Sequence, residues 1–442
     1  MSKEINEQSS IPVSKVQRAS AFVRTGFKVG GNYLKHYTKR AMNPAHTRET
    51  LDLENAEDIY QSLSQLKGSA LKVAQMMSLD KNLLPAAYQE KFVLSQYSAP
   101  PLSYPLVVKT FQKHFGKSPE NIFDTFTQKA VNAASIGQVH QATLNGKKLA
   151  VKIQYPGVAE SIGSDLKMVK PFALRLFNLN EKELNKYLGE VEEKLMEEAD
   201  YDLELERSQE LSKACSVIEN LKFPNYYPEF SSSKVLTMDW ISGMHMNEYL
   251  ATNPSQEERN KVGQALWDFY DYQIHVLKKV HADPHPGNFI FLPDGNIGVI
   301  DFGCVKEMPD DFHRNYFSLL HKDIVHNEDE LKQLFYDLEF IDDKDTEAEK
   351  VFFVGIFKEM IEMLGRPFHY EKFDFGDDNY FMEIFQMGER IQKSREYRKS
   401  RSARGSRHGL YINRTYFGLY HLLNQLKAEI STDRPQSYVL SA

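Results

Sequence analysis

Residues 281–288 read His-Ala-Asp-Pro-His-Pro-Gly-Asn, and residues 301–303 read Asp-Phe-Gly. An Asp, an Asn and a second Asp in this order are typical of phosphoryl-transfer sites, where a divalent metal is held on a nucleotide triphosphate. We therefore predict that Asn288 and Asp301 bind Mg²⁺ through their oxygens. Asp283 is the remaining carboxylate, and we predict that it orients or deprotonates an attacking hydroxyl or water.

The two histidines of the first motif raise the alternative of a zinc site. His281 and His285 have no Cys or third His at ligand spacing, whereas structural zinc sites use four such ligands. Pro284 and Pro286 indicate a rigid, structured loop instead. We interpret His281 as an orienting, structural residue.

The composition describes a globular protein. The chain has 442 residues, of which 41% are hydrophobic, and a formal net charge of -7. This length can form one large two-lobed domain or several smaller ones. The negative charge argues against general nucleic-acid binding. Cys215 and Cys304 are the only cysteines, too few for a disulfide framework.

The sequence also bears on location. It has no run near the roughly eighteen apolar residues of a spanning helix, and it opens without the pattern of a secretory signal. We therefore expect a cytoplasmic protein, with peripheral contact at the inner membrane. A basic, partly aromatic arm between Glu7 and Glu49 and a basic stretch at 393–407 are candidates for that contact. The alternatives are packing of the arm on the rest of the chain and a mobile, solvated loop for the second stretch.

A β-hairpin is predicted upstream of these motifs. Residues 139–144 and 149–153 alternate or are rich in β-branched residues, and Asn145-Gly146 between them favours a tight turn. Lys152 lies on the second strand, where its ammonium could reach the α- and β-phosphates of a nucleotide. A solvated edge lysine is the competing interpretation, but the downstream motifs favour the phosphate role.

Such a lysine needs a carboxylate on a neighbouring helix. Residues 181–214 form one long, highly acidic helical pattern. We rank Glu198-Ala199-Asp200 first as the partner group of Lys152 and Glu204 second. The other acids of the segment are interpreted as a solvated face.

Two further segments are candidates for nucleotide contact. Where many kinases have a glycine-rich loop, residues 132–138 read Asn-Ala-Ala-Ser-Ile-Gly-Gln. We predict that Ala133, Ala134 and Ser135 contact the nucleotide, although alanine lacks the positive-φ freedom of glycine and an ordinary hairpin turn is the alternative. Downstream, a buried strand is predicted at 234–241. The predicted backbone contacts to adenine in it are at Met238, Asp239 and Trp240.

The order of elements predicts an α+β protein with an atypical protein kinase-like, two-lobed fold and an N-terminal helical extension. We predict a disordered terminus at 1–12 and a helical extension at 13–115. A kinase-like N-lobe follows at 116–240, and a helical C-lobe with the catalytic loops occupies 241–442.

Taken together, the motifs resemble those of the UbiB family of atypical kinases, in the protein kinase-like superfamily, and most closely its ADCK and Coq branch. The shared segments are Lys72-Val-Ala-Gln75, the alanine-rich loop, Lys152-Ile-Gln-Tyr-Pro-Gly157, Glu198-Ala-Asp200 and the two catalytic motifs. The resemblance covers nearly the whole chain from about residue 12. Ala74 replaces the glycine of the family's Lys-x-Gly-Gln motif, and Asn132 stands at the first position of its alanine run.

The resemblance implies several properties of the protein. ATP (or ADP) and Mg²⁺ would be its cofactors, and Glu198 and Asp200 would belong to the nucleotide site. Lys72 and Gln75 would gate that site. The activity would be that of an ATPase or phosphotransferase supporting ubiquinone or other isoprenoid-lipid metabolism. A lipid or isoprenoid-quinone intermediate and a biosynthetic enzyme complex are the partners implied.

Phosphorylation of protein substrates is disfavoured, because no Ala-Pro-Glu motif follows Gly303 at the usual distance. Two other functions remain open. One is a small-molecule phosphotransferase, which shares the catalytic loops but lacks the helix of Lys72 and Gln75. The other is a non-catalytic, nucleotide-gated scaffold for a biosynthetic complex.

Overall fold

A computed structural model describes most of the chain. The described residues are 17–20, 23–25, 28, 31–32, 48–66, 101–133, 136–177, 181–394, 396–397 and 404–433. The terminus predicted to be disordered at 1–12, the gating pair Lys72 and Gln75, and Ala134 and Ser135 of the alanine-rich loop lie outside these residues.

The described part of the chain contains both helices and strands, each often in runs of several. The α-helices are α1 Arg48–Leu66, α2 Tyr104–Phe115, α3 Val158–Phe177, α4 Glu181–Glu198, α5 Tyr201–Ala214, α6 Met246–Ala251, α7 Gln256–Tyr272, α8 Asp310–Ser318, α9 Glu328–Asp337, α10 Glu347–Leu364, α11 Asp378–Lys393 and α12 Arg407–Leu426. The strands are β1 Thr125–Phe126, β2 Asn132–Ala133, β3 Gly137–Leu144, β4 Lys147–Gln154, β5 Leu221–Lys222, β6 Val235–Asp239, β7 Lys279–His281, β8 Phe289–Phe291, β9 Ile297–Val299, β10 Val305–Glu307, β11 Lys372–Asp374 and β12 Glu429–Ser431. This mixture of helices with small sheets confirms the predicted α+β class.

The chain divides into two compact units. The first unit comprises Met1–Glu206 and Asn225–Trp240, and the second comprises Arg207–Pro224 and Ile241–Ala442. The domain boundaries predicted from the sequence stay a prediction.

The first unit contains a five-stranded sheet with the order β1-β3-β4-β6 and β2 paired to β3. The predicted hairpin is confirmed as β3 and β4, which pair antiparallel from Gly137↔Gln154 to Leu144↔Lys147. The turn between them has Asn145 at φ 52° and Gly146 at φ 76°, the left-handed conformations that an Asn-Gly turn provides. One face of the sheet is buried under α2, whose Val107 and Phe111 pack in a single cluster with the strand residues.

The second unit has a large aromatic and aliphatic core. Trp267 and Phe269 of α7 are buried in it with Leu419 and Leu423 of α12. Its sheets are small: β5-β9-β8, β7 paired with β10, and β11 paired with β12. Two of its short strands, β8 and β9, form an antiparallel hairpin on either side of residue 294. No helix among the described residues is long and apolar enough to cross a membrane.

The acidic segment predicted as one helix is two helices, α4 and α5, separated at Ala199 and Asp200. The Asp200 carboxylate accepts a hydrogen bond of 3.1 Å from the backbone N–H of Leu203. It therefore caps the start of α5, since a side-chain oxygen there satisfies an otherwise unpaired N–H of the first turn. The periodicity continues across the break, so the sequence pattern alone does not reveal it.

Two arginines from the predicted basic regions are packed inside the protein. Arg18 is buried and pairs with buried Asp165 of α3, with its Nε 2.7 Å from Oδ1. Arg404 pairs with Asp345 and lies 3.9 Å from the Phe353 ring centroid. At these two positions packing, and neither membrane contact nor solvation in a mobile loop, accounts for the charge.

Candidate functional site

Lys152 occupies the middle of the sheet in the first unit. It faces Val139 on β3 and Leu236 on β6 in the strand register. Its Nζ lies 2.6 Å from Glu204 Oε1, with 18% of the lysine side chain exposed and 2% of the glutamate. The same Nζ lies 5.1 Å from the ring centroid of Tyr201, within reach of a cation–π contact. The lysine is thus held at a fixed position by α5.

This ion pair corrects the ranking made from the sequence. We placed the Glu198 and Asp200 pair first and Glu204 second, but the structure shows Lys152 paired with Glu204. The helix break explains the difference. Because α5 begins at Tyr201, Tyr201 and Glu204 lie three residues apart and share a face. Asp200 is exposed at the cap, and Glu198 is the last residue of α4.

The described part of the alanine-rich loop begins as a strand. Ala133 lies in β2 and pairs with Gln138 of β3. Gly137, at the start of β3, lies so close to its neighbours that a Cβ there would be 2.7 Å from the Tyr201 hydroxyl and 2.8 Å from the Ile153 carbonyl oxygen. This glycine is required by close packing, and the predicted nucleotide contacts of the loop remain predictions.

A buried polar relay next to the loop was not predicted from the sequence. The Gln138 side chain accepts a hydrogen bond of 2.6 Å from the backbone N–H of Leu102, and its amide lies 2.8 Å from His140 Nε2. His140 Nδ1 lies 2.7 Å from the Thr127 carbonyl oxygen, so this nitrogen carries the donated proton. Burial lowers the pKa of His140, against the smaller opposing effect of the Thr127 carbonyl. The relay thus connects Leu102 to Thr127 through two side chains of β3, Gln138 and a neutral His140.

The predicted adenine segment is part of the sheet. Met238 pairs with Ala150 in the strand register. The N–H of Asp239 donates to the Asn225 carbonyl, and the N–H of Trp240 donates to the Lys148 carbonyl, each over 2.9 Å. Adenine contacts from these two residues would therefore use their carbonyl groups.

The Asp239 carboxylate is also engaged. It accepts hydrogen bonds of 2.6 Å from the Tyr227 hydroxyl and from the Asn225 side-chain amide. Burial opposes ionisation of this carboxyl, but these hydrogen bonds outweigh it and lower its pKa. Asp239 thus joins the segment at residues 225–227 to β6.

In the second unit, the β8–β9 hairpin brings the two predicted metal ligands together. Phe289 pairs with Val299, and the Ile300 N–H donates to the Asn288 carbonyl over 3.1 Å. Asn288, just before β8, and Asp301, just after β9, therefore lie at the same end of the hairpin. Asp301 Oδ1 accepts a hydrogen bond of 2.8 Å from the Gly303 N–H, which orients the carboxylate. An amide oxygen and a carboxylate are hard ligands that fit Mg²⁺.

The loop that carries Asp283 is held by its own residues. The Asn288 side-chain amide donates to the Asp283 carbonyl over 2.9 Å, and His285 Nδ1 accepts from the Gly287 N–H over 3.0 Å. His281 is fully buried, and its N–H donates to the side chain of Gln273 over 2.9 Å. His285 thus stabilises a turn. His281 is buried beneath the loop, which agrees with our interpretation of His281 as a structural residue.

Two residues near Asp283 were missed in the sequence. Arg414 of α12 lies 3.4 Å from Asp283 Oδ1 through its Nη2. Tyr270 of α7 is fully buried, and burial, with smaller contributions from the charges of Asp283 and Cys304, raises its pKa far above the usual range. Neither residue belongs to a motif. Their positions in helices were the only signal that the sequence offered for them.

A sheet that positions a lysine against a helix glutamate, together with an Asp, an Asn and a second Asp on two loops, defines a protein of the kinase-like class. Comparison with known proteins agrees. Residues 94–335 match the ABC1 atypical kinase-like domain. The chain belongs to this family, and the resemblance to the UbiB atypical kinases is confirmed.

Several known proteins are similar to the chain. A probable serine/threonine-protein kinase, abkA, from Dictyostelium discoideum is 28% identical over 69% of this chain and 58% of its own length. The atypical kinase COQ8B, mitochondrial, from Rattus norvegicus is 27% identical over 84% of this chain and 71% of its own. Rv3197 from Mycobacterium tuberculosis, solved in complex with erythromycin, shares the fold with a TM-score of 0.59 and 27% identity, covering 88% of this chain and 96% of that one. The chain thus spans little more than half of the first of these relatives.

The names of the relatives contradict the predicted location. Relatives from rat, yeast and zebrafish are named as mitochondrial, and one from Arabidopsis thaliana is named as chloroplastic. The expectation of a cytoplasmic protein is therefore wrong on this comparison. The expectation rested on the missing secretory-signal pattern and the missing apolar run of a spanning helix. Neither feature indicates the family to which a chain belongs.

Proposed function

We propose that this protein binds MgATP and uses it, as an ATPase or phosphotransferase, in support of ubiquinone or other isoprenoid-lipid metabolism. The observation that carries the proposal is the grouping of Asp283, Asn288 and Asp301 in the second unit. The amide of Asn288 holds the backbone at Asp283, and Asp301 follows the β9 strand at the same hairpin end. One contiguous piece of chain thus supplies a proton acceptor and two hard ligands.

The residues of the second unit would act as follows. Asp283 accepts a proton from water or an acceptor hydroxyl, whose oxygen attacks the γ-phosphorus while the bond to the β–γ bridging oxygen breaks and ADP leaves. Asn288 and Asp301 would hold Mg²⁺, which neutralises charge on the phosphates when bound. Gly303 keeps the Asp301 carboxylate oriented for this role through its N–H.

The residues of the first unit would bind the nucleotide. Lys152, fixed by Glu204, would contact the α- and β-phosphates. The other members of this proposed nucleotide site are Ala133, Ala134, Ser135, Glu198, Asp200, Met238, Asp239 and Trp240. Lys72 and Gln75 would gate the site, as the resemblance implies.

The metabolic part of the proposal rests on membership of the family, as does the proposal of a lipid or quinone intermediate and a biosynthetic complex as partners. A protein acceptor is disfavoured by the missing Ala-Pro-Glu motif after Gly303. The acceptor would then be water or a small hydroxyl compound, and a lipid or quinone precursor is the class that the family favours.

ATP turnover by the purified full-length protein tests the proposal. We would measure phosphate release with and without Mg²⁺ and with and without liposomes containing an isoprenoid quinone. Asp301→Asn is expected to reduce turnover by about 10²-fold or more, because it removes a metal ligand charge. Asp343→Asn is the matched control, since Asp343 is an exposed aspartate of the same unit.

The outcomes separate the alternatives. Turnover that requires Mg²⁺, rises with the liposomes and is lost only in Asp301→Asn supports the proposal. Tight MgATP binding without turnover in any condition would identify a nucleotide-gated scaffold. Efficient transfer to a soluble small hydroxyl compound without a response to lipid would instead identify a small-molecule phosphotransferase.

A further inference from the structure

The catalytic loop runs along one face of α12 in the second unit. Tyr411 packs in one cluster with Ala282 and Cys304. Three residues later, Arg414 reaches Asp283. Gly418, a further turn along, lies against Pro284. Successive loop residues 282, 283 and 284 therefore meet successive turns of a single helix, at the three- and four-residue spacing that places side chains on one face.

The packing at Gly418 fixes the distance between helix and loop. A Cβ at this position would overlap Pro284 Cγ and would lie 3.1 Å from its Cβ and 3.3 Å from its carbonyl oxygen. A proline ring cannot move aside as a flexible side chain can. The helix thus approaches the loop as closely as a glycine permits, and Arg414, one turn earlier, is held next to Asp283.

A positive charge that faces Asp283 comes from this helix. The loop His281–Asn288 contains neither lysine nor arginine. Arg414 lies 131 positions further along the chain. About a third of each side chain is exposed, 31% for Arg414 and 32% for Asp283. An ion pair that exposed contributes about 0–1 kcal/mol to folding, so stability is a weak reason for its presence.

We infer that Arg414 is a positioning residue for Asp283. Its guanidinium holds one carboxylate oxygen, and this limits rotation of the carboxylate and directs its second oxygen toward the hydroxyl or water that is deprotonated. Arg414 does not bind the nucleotide in this account and acts through Asp283. The inference rests on the proposed function, because it assigns a role to Arg414 only if Asp283 is the proton acceptor.

Steady-state kinetics on four variants of the full chain test the inference. They are Arg414→Ala, Arg414→Lys, Asp283→Asn and the double variant Asp283→Asn/Arg414→Ala. Arg366→Ala is the matched control, since Arg366 forms an ion pair of 2.6 Å with Glu383 on the surface of the same unit, with similar exposure. ATP turnover is measured with Mg²⁺, together with thermal unfolding.

We expect Arg414→Ala to lower kcat about 10-fold or more, with KM for ATP within about 2-fold of the original, because misorientation affects only the chemical step. Arg414→Lys retains the charge and is expected to recover part of kcat. The double variant is expected to be no slower than Asp283→Asn, since a residue acting through Asp283 has nothing to position once the carboxylate is gone. Arg366→Ala is expected to keep the original kcat.

The contrary outcomes separate failure of the proposed function from failure of the inference about Arg414. If the original protein shows no turnover, or Asp283→Asn leaves kcat intact, the proposed function fails and the inference fails with it. If Asp283→Asn is slow but Arg414→Ala keeps the original kcat, the inference alone is overturned. A rise in KM for ATP at constant kcat, or additive losses in the double variant, would also overturn it, because either would show Arg414 acting independently of Asp283.

Discussion

The two ion pairs near the proposed chemistry, one in each unit, are built differently. Lys152 and Glu204 are 2.6 Å apart, and the glutamate is almost fully buried. Asp283 and Arg414 are 3.4 Å apart, and each is about one third exposed. The first pair fixes in place the lysine that we propose to bind phosphate. The second holds a carboxylate that, in the proposed reaction, must remain accessible to a reacting hydroxyl.

Under the proposed function, burial accompanies nucleotide binding and partial exposure accompanies the chemical step. A buried ion pair loses much when one partner is removed, because the other charge is left in a poor environment. A partly exposed pair loses little stability, since water replaces the lost partner. Changes to the first pair should therefore appear in stability and nucleotide affinity, and changes to the second in kcat.

The largest expected effect on stability is at Glu204. Glu204→Gln removes the charge opposite Lys152, and we expect the free energy of unfolding to fall by about 2–3 kcal/mol and the affinity for ATP to fall with it. Urea unfolding and equilibrium nucleotide binding measure the two effects. Glu206→Gln is the control, because Glu206 is exposed on the same helix and should change stability by less than about 0.5 kcal/mol. Equal behaviour of the two variants would remove the distinction between the pairs.

The next effect concerns the close contact below the second pair. Gly418→Ala places a methyl group against Pro284, and overpacking of this kind costs about 1–3 kcal/mol. We also expect kcat to fall, because the loop that carries Asp283 must move. Gly355→Ala, in helix α10 with no atom within 4 Å of the added Cβ, should instead be neutral or stabilising by up to about 1 kcal/mol. Thermal unfolding of both variants, with ATP turnover, makes the comparison.

The hairpin of the first unit and the loop motifs of the second unit can be predicted from local sequence. The Asn145-Gly146 turn sets the hairpin, and the strand pattern then places Lys152 in the sheet. The two loop motifs likewise predict Asn288 and Asp301, which the β8–β9 hairpin brings to one end. In each case a few neighbouring residues determine the geometry.

The remaining features depend on contacts between distant parts of the chain. Arg414 is 131 positions from Asp283, and no local pattern connects the two. The choice of Glu204 over Glu198 depended on a helix break that acidic periodicity conceals. The sequence leaves the arm that contains Arg18 open between membrane contact and packing, and only the buried partner Asp165 shows that this arginine is packed. Such partners are set by tertiary packing, which single-sequence patterns do not contain.

Asp268 in the second unit and His140 in the first are expected to respond to acid in opposite directions. Burial raises the pKa of Asp268 in α7 from 3.8 to about 6, so its carboxyl binds a proton more tightly in the folded protein than in the unfolded chain and contributes stability as the pH falls through 6. The pKa of His140 is lowered from 6.5, so the first unit loses stability as the pH falls below 6.5.

Urea unfolding at pH 7.5 and pH 5.5 checks both directions. Asp268→Asn is expected to stabilise the protein by up to about 2 kcal/mol at pH 7.5 and to abolish the gain on acidification. His140→Gln should reduce the loss, whatever its effect at pH 7.5. If the two variants keep the pH dependence of the original protein, other groups control it and Asp268 and His140 do not contribute in the expected directions.

The smallest effect is at Asp200, which starts the helix that carries Tyr201 and Glu204. Asp200→Ala removes the cap bond to the Leu203 N–H and should cost about 1 kcal/mol. Asp200→Ser keeps a capping oxygen but no charge, so it should restore stability. ATP affinity then decides the role of the carboxylate. If Asp200→Ser also restores affinity, Asp200 serves the Lys152 site only by capping α5. If affinity stays low, the charge itself belongs to the nucleotide site, as the family resemblance implies. Nucleotide binding in the first unit then depends on an exposed acid as well as on the buried ion pair.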